Sequence, residues 1–131
     1  RHRILGDAKL LSQALINLIL NAVEAIGTEG TITFGSTNCK YRFANGEGTE
    51  QSSIKESIRI QISDSGQGIS PDHIKQIFDP FFTRKSEGTG MGLSVAHGII
   101  QEHHAVIDVE SEIGKGTTFY IYIPVIEEES S

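Results

Sequence analysis

The residues with most chemistry in them are an aspartate and two glycines that end an apolar alternation. Asp64-Ser65-Gly66-Gln67-Gly68-Ile69 follows Ile58-Arg59-Ile60-Gln61-Ile62-Ser63. Isoleucines two apart put one face of a strand into a core, so the strand carries a carboxylate to its end. A carboxylate there can accept hydrogen bonds from the edge of a flat ligand, and the exocyclic amino group of a purine suits it. Gly66 and Gly68 allow backbone angles and close approaches that a Cβ would block. Taken alone, Asp-Ser-Gly is also ordinary turn chemistry.

The second feature is a strip of amides. Gln13, Asn17 and Asn21 recur every four residues and Glu24 follows three later, within a run free of Pro and Gly from Asp7 to Gly27. At helical spacing these side chains line one edge, while Leu11, Ala14, Leu15, Leu18, Ile19, Ala22, Val23 and Ile26 cover a broad apolar side. A buried amide without a partner costs about 1 to 3 kcal/mol, so the strip must face water, protein or a ligand. A plain solvent face usually carries Lys and Glu rather than Asn, whose helix propensity is poor. An Asn carbonyl is also a hard oxygen donor of the kind Mg²⁺ takes, and Mg²⁺ needs few protein ligands.

The third feature is Asp79-Pro80-Phe81-Phe82-Thr83-Arg84-Lys85 running into Ser86-Glu87-Gly88-Thr89-Gly90-Met91-Gly92. Aromatic anchors, two cations and three glycines have the makeup of a hinged lid. Leu93, Val95, Ala96, Ile99 and Ile100 then announce a core helix reaching about His103, whose first N–H groups favour anions. The glycine loop follows no strand, which argues against a dinucleotide fingerprint, and Gly114-Lys115-Gly116-Thr117 lacks the upstream glycine of a P-loop. His2, His73, His97, His103 and His104 show no metal-ligand spacing, and Ser36 and Ser94 have no evident base.

The elements that must hold these groups follow from pattern. Asp7 caps the long helix, residues 30–36 read as a strand, and residues 37–57 form a connection with a turn at Asn45-Gly46 before the strand ending at Asp64. Ser70-Pro71-Asp72 opens a short helix ending near Phe78. Residues 105–110 and 117–123 read as an antiparallel pair closed by Pro124. The expected domain is residues 1–126, with 127–131 an acidic, disordered tail.

At 131 residues and 37% hydrophobic content the chain suits one domain with one core. A formal charge of −6 argues against a nucleic-acid surface or contact with an anionic membrane. No run reads as close to the roughly 20 apolar residues of a membrane span. One cysteine, Cys39, excludes an internal disulfide and fits a reducing cytoplasmic setting. The start Arg-His-Arg without Met reads as a segment of a longer protein.

In order, the chain carries Asn17-x-x-x-Asn21-Ala22, Asp64-x-Gly66-x-Gly68, Phe78-Asp79-Pro80-Phe81-Phe82, Gly88-Thr89-Gly90-Met91-Gly92-Leu93 and Gly114-x-Gly116-Thr117. Five weak motifs in this order resemble the catalytic, ATP-binding domain of sensor histidine kinases, within the superfamily that includes gyrase, the Hsp90 chaperones and MutL. The stretch Asn17-Leu18-Ile19-Leu20-Asn21-Ala22-Val23-Glu24-Ala25 looks like the nitrogen-regulatory and sporulation-kinase branch.

The resemblance implies an α+β, two-layer sandwich of the Bergerat type, with helices on one face of a mixed sheet and ATP held between helices and lid. Asp64 would bind the adenine amino group, Gly66 and Gly68 would make room for the base beside Ile69, and Thr117 would help through water. Asn21 would give an oxygen to Mg²⁺, with Asn17 alongside. Thr83, Lys85, Gly88, Thr89, Gly90, Met91 and Gly92 would form the lid, with Leu93 opening the phosphate-facing helix. Glu24 stands where many relatives carry a Lys toward the phosphates. The implied partners are the protein's own dimerisation and phosphoacceptor helices, which hold the acceptor histidine outside this chain, and a response regulator.

Superfamily members that activate water or a hydroxyl typically place a Glu where this chain has Asn17. An amide takes no proton at neutral pH, so transfer to a nucleophile from another domain is favoured over hydrolysis. The alternatives are a nucleotide-gated binding module or ATPase without histidine phosphorylation, and a serine kinase of the anti-sigma type.

Overall fold

The Pro-free run after position 7 folds as one long helix, α1 (Ala8–Ile26), in a computed structural model that describes residues 2–4, 8–27, 29–44, 52–78 and 91–127. Gly27 ends it at φ +66°, the left-handed conformation a glycine adopts without a Cβ penalty. Asp7, expected as its cap, lies outside the described residues. Leu11, Ala14, Leu18 and Ala22 of the expected apolar side are in the interior, whereas Val23, expected with them, is exposed. By length and composition alone Lys9–Ile26 could cross a membrane, which corrects the expectation that no run comes near that limit. One side of it packs against a second helix and the sheet, while Leu10, Ile16 and Leu20 are exposed.

Five strands form the sheet: β1 (His2–Ile4), β2 (Ile32–Ala44), β3 (Ser52–Asp64), β4 (Val106–Glu112) and β5 (Gly116–Glu127). β5 is the hub, pairing with β1, β3 and β4, while β2 pairs with β3. Every pairing among the described residues is antiparallel, where the resemblance implied a mixed sheet. The α+β character and the helix layer are as expected: α1 and α3 (Met91–Glu102) contact each other and lie against the sheet.

Opposed residues in an antiparallel pair share a face, so the register defines rows across the sheet. Ile62 pairs with Phe119 and Phe119 with Val109; Ile60 pairs with Ile121 and Ile121 with Ile107. These rows meet Ala14, Leu18 and Ala22 of α1 and Ala96, Ile99 and Ile100 of α3 in one core. Arg59, Tyr120 and Tyr122 alternate to the opposite face, where Tyr41 stacks on Tyr122 at 4.0 Å and the Arg59 guanidinium lies 5.4 Å from the Tyr120 ring.

Four boundaries differ from expectation. The first hairpin is paired from Ile32↔Asp64 to Ala44↔Ser52, so most of residues 37–57 is strand rather than connection. Polar and charged residues prevail there because β2 is an outer strand of the sheet. The expected Asn45-Gly46 turn lies outside the described residues. The short helix α2 covers only Pro71–Ile74, and Ser70 caps it with its carbonyl, which accepts from His73 and Ile74, not with its hydroxyl. Pro124 does not close the last strand: β5 runs on to Glu127, where Val125, Ile126 and Glu127 pair with β1, a strand the sequence did not announce. Residues 128–131 lie outside the described residues.

α3 ends without a glycine. The Ala105 N–H donates to the Ile100 carbonyl (3.0 Å) and the His104 N–H to Gln101 (3.0 Å), with His104 at φ +60°. This is the paired bonding of a Schellman cap with histidine in the left-handed position, and it drops Ala105 into the core at the start of β4.

Candidate functional site

Asp64 is the last residue of β3, and its row crosses the sheet as Ile32, Asp64, Thr117 and Ser111. All four lie on the helix-covered face, one step beyond the row of Ile62 and Phe119. Packing at the strand end therefore carries two polar side chains into the interior: Asp64 is 7% exposed and Thr117 4%. Burial of a polar group demands partners. One carboxylate oxygen, Oδ1, accepts the Gly66 N–H at 2.8 Å, which curls the chain back at once after the strand.

The curl places Gly66 against the end of α1. A Cβ on Gly66 would stand 2.5 Å from the Ala25 carbonyl oxygen. Gly68, at φ +80°, lies against the backbone of Glu112 with no space for a side chain. The positions that a Cβ would take on these two glycines are filled by protein backbone, so both glycines seat the loop. Ser65 fastens its other side, accepting the Thr31 N–H at 2.8 Å and donating its own N–H to the Thr31 carbonyl at 3.0 Å.

Ala25 is one helical turn beyond Asn21 and two beyond Asn17, so the amide strip starts where Gly66 touches the helix. At 1.5 Å per residue Asn21 is about 6 Å and Asn17 about 12 Å further along the axis. Both are half-buried, Gln13 and Glu24 are exposed, and Gln13 donates to the Asn17 Oδ1 at 2.9 Å. The Asn17 carbonyl is therefore engaged within the strip. The Asn21 side chain makes no hydrogen bond among the described residues, leaving its oxygen the better placed of the two for a cation.

Among the described residues no group of three His, Cys, Asp or Glu is arranged to hold a metal. One carboxamide oxygen next to a strip of amides suits a cation that arrives with its other ligands, as Mg²⁺ does on a triphosphate. Asp64 likewise suits an amino group, having spent one oxygen on Gly66.

Ile69 is buried in the core, and its N–H donates to the Ser111 Oγ at 2.7 Å. Met91 and Gly92 form the first residues of α3, and Leu93 packs against the core. Thr83, Lys85, Gly88, Thr89 and Gly90 lie outside the described residues. Phe78 leads toward that stretch, stacked on His97 of α3 with centroids 4.7 Å apart. Sequence reasoning missed Ser65 and Ser111. Ser111 had a signal, since it shares parity with the core-facing Ile107 and Val109.

An open polar concavity of about 420 Å³ borders Asp64, Ser111, Glu112, Lys115, Gly116 and Thr117. It also reaches Glu110 and Thr118, which alternate to the other face, so it wraps the end of the sheet and is not itself a nucleotide-shaped cleft.

Residues 6–127 match the family model described as histidine kinase-, DNA gyrase B- and HSP90-like ATPase. The sensor histidine kinase ZraS of Salmonella typhi is 44% identical over 124 residues, 95% of this chain and 24% of that protein. The sensory histidine kinase/phosphatase NtrB of Rhodobacter capsulatus is 38% identical, over 95% of this chain and 34% of its own length. The chain thus spans a quarter to a third of these relatives. Among solved structures, the catalytic domain of histidine kinase ThkA superposes with a TM-score of 0.71 at 33% identity, covering 92% of this chain and 70% of that one. Full-length ShkA in complex with AMPPNP gives 0.71 at 25% identity, covering 97% of this chain and 24% of that one. The order of motifs, the antiparallel sheet under two helices and the match over residues 6–127 agree: the chain belongs to the histidine kinase-, DNA gyrase B- and HSP90-like ATPase family, and within it is similar to the catalytic domains of sensor histidine kinases.

Proposed function

We propose that this domain binds Mg-ATP and presents its γ-phosphoryl group to a histidine on a helical dimerisation domain outside the chain, from which a response-regulator aspartate takes it. The observation that carries this reading is the contact of Gly66 with Ala25, which sets Asp64 at the foot of the amide strip. A purine read by Asp64 has its phosphates directed along Asn21 and Asn17. The similar protein ShkA was solved in complex with AMPPNP, an ATP analogue, which supports the choice of nucleotide.

Each residue then has a task. Asp64 accepts from the base, and Thr117 stands opposite it as the second polar group. Asn21 offers its oxygen to Mg²⁺, whose charge when bound offsets that of the phosphates. Asn17, tied to Gln13, holds the strip in line and has no capacity to take a proton from water. Phosphoryl transfer asks for alignment and charge neutralisation rather than covalent help, and this set supplies them. The phosphates also meet the N-terminal end of α3, whose backbone N–H groups favour anions. Thr83, Lys85, Gly88, Thr89 and Gly90 complete the enclosure in this proposal, and its setting is the cytoplasm, where ATP is supplied.

Nucleotide titration of Asp64→Asn tests the base site: ATP affinity should fall at least tenfold, and an unchanged affinity refutes the assignment. Joined to its helical domain and given γ-labelled ATP, the protein should acquire acid-labile, base-stable phosphate. Saturating ATP without such label would favour a nucleotide-gated module.

A further inference from the structure

One oxygen at the end of the sheet makes three hydrogen-bond contacts. Ser111 Oγ accepts the Ile69 N–H at 2.7 Å, donates to the Gly116 carbonyl at 3.0 Å and lies 2.8 Å from the Thr117 Oγ1. A hydroxyl has one proton and two lone pairs. The amide of Ile69 can only donate and the carbonyl of Gly116 can only accept, so they take one lone pair and the proton of Ser111. The second lone pair remains for Thr117, which must then donate. The only proton of the Thr117 hydroxyl is therefore held on Ser111, and its free lone pairs are what it offers elsewhere.

Thr117 stands directly opposite Asp64 in the β3–β5 register. Two acceptors are then side by side at the foot of the amide strip, a carboxylate with one oxygen left over and a hydroxyl with no proton to give. Such a pair accepts directly from an amino group and has no proton of its own to give to a carbonyl.

We propose that Ser111 is a specificity-determining, positioning residue: by holding the Thr117 proton it makes the base site accept a 6-amino purine and reject a 6-oxo purine. This rests on the reading of Asp64 as the base site. The residue also joins the loop after β3 to the turn between β4 and β5, a link doubled by the Gly114 N–H donating to the Gln67 carbonyl at 2.9 Å. A structural link alone would leave the preference between nucleotides untouched.

Equilibrium binding of ATP and of inosine triphosphate, which carries oxygen in place of the 6-amino group, separates the two roles. In Ser111→Ala the Thr117 proton is released toward the pocket, and the preference for ATP over inosine triphosphate should fall about tenfold. Ser111→Thr keeps the hydroxyl and should retain the preference. With Thr117→Val in place, adding Ser111→Ala should change the ratio less than twofold, because its route of action is gone. If Ser111→Ala does not fold, Ser111→Cys keeps the volume with a weak donor and acceptor, and the same fall in preference is expected. A folded Ser111→Ala or Ser111→Cys protein with the wild-type ratio overturns the proposal. So does an equal shift in the Thr117→Val background. Wild-type protein without preference for ATP would instead overturn the base-site reading on which the proposal stands.

Discussion

Gly66 and Ala25 meet backbone to backbone, with the position of an absent Cβ on Gly66 only 2.5 Å from the Ala25 carbonyl oxygen. This contact joins the acid at the end of β3 to the C-terminal turn of α1 and sets the distance between Asp64 and the amide strip. A methyl group there must push the loop off the helix. Gly66→Ala should therefore destabilise the domain by about 1 to 3 kcal/mol, as overpacked positions do. It should also weaken ATP more than an equally destabilising core change such as Ile62→Val. Chemical denaturation and nucleotide titration of the two variants check this.

Asn21 offers a carboxamide oxygen half-buried on the strip. Asn21→Ala should remove most of the Mg²⁺-dependent part of ATP affinity, about tenfold or more, while leaving affinity in excess EDTA within twofold of wild type. Calorimetry with and without the metal measures both. Equal losses under both conditions would assign Asn21 to the nucleotide rather than the cation.

His104 closes α3 in a left-handed conformation, φ +60°, that costs a residue with a Cβ about 1 kcal/mol relative to glycine. His104→Gly should therefore stabilise the fold by about 0.5 to 1 kcal/mol, once the greater freedom of glycine in the unfolded chain is set against the relief. The measurement is the denaturant midpoint at unchanged slope.

On the open face of the sheet two phenols are held above their ordinary value of 10.0. Burial, then the charge of Asp108, raises Tyr41; the hydrogen bond to Glu110, then burial, raises Tyr120 against a lowering by Arg59. The folded state thus keeps protons that the unfolded chain loses near pH 10, and stability falls as pH rises through and beyond that point. Below pH 10 the contribution is fully present. Tyr41→Phe with Tyr120→Phe should flatten the fall in melting temperature above about pH 10, and Tyr41→Phe alone keeps the ring that stacks on Tyr122. A double variant as steep as wild type would place the alkaline sensitivity elsewhere.

Local pattern told most of what was legible in advance. The period of Leu11, Ala14, Leu18 and Ala22 marks the buried side of α1 and leaves Asn17 and Asn21 on its edge, because helical spacing is a property of neighbours in the chain. Alternation of Ile58, Ile60 and Ile62 likewise sends Asp64 to the core-facing side of a strand end. The paired extent of the first hairpin was less legible, since β2 as an outer strand carries polar residues that read as a loop. β1 was not legible at all, for three residues hold no period and exist as a strand only through β5.

The amino-acid order alone determined which groups the domain owns: an acid after an isoleucine alternation, a ladder of amides, and glycines between them. Which groups are neighbours was decided by tertiary structure. Register alone sets Thr117 opposite Asp64, which lies far before it in the chain, and Ser111 beside Thr117, on the neighbouring strand of the same hairpin. The meeting of Gly66 with Ala25 is of the same kind, 41 positions apart in sequence and in contact in space. Spacing along the chain encodes only nearest-neighbour geometry, whereas the direction of the Thr117 proton depends on an amide, a carbonyl and two hydroxyls that converge only when the sheet has closed.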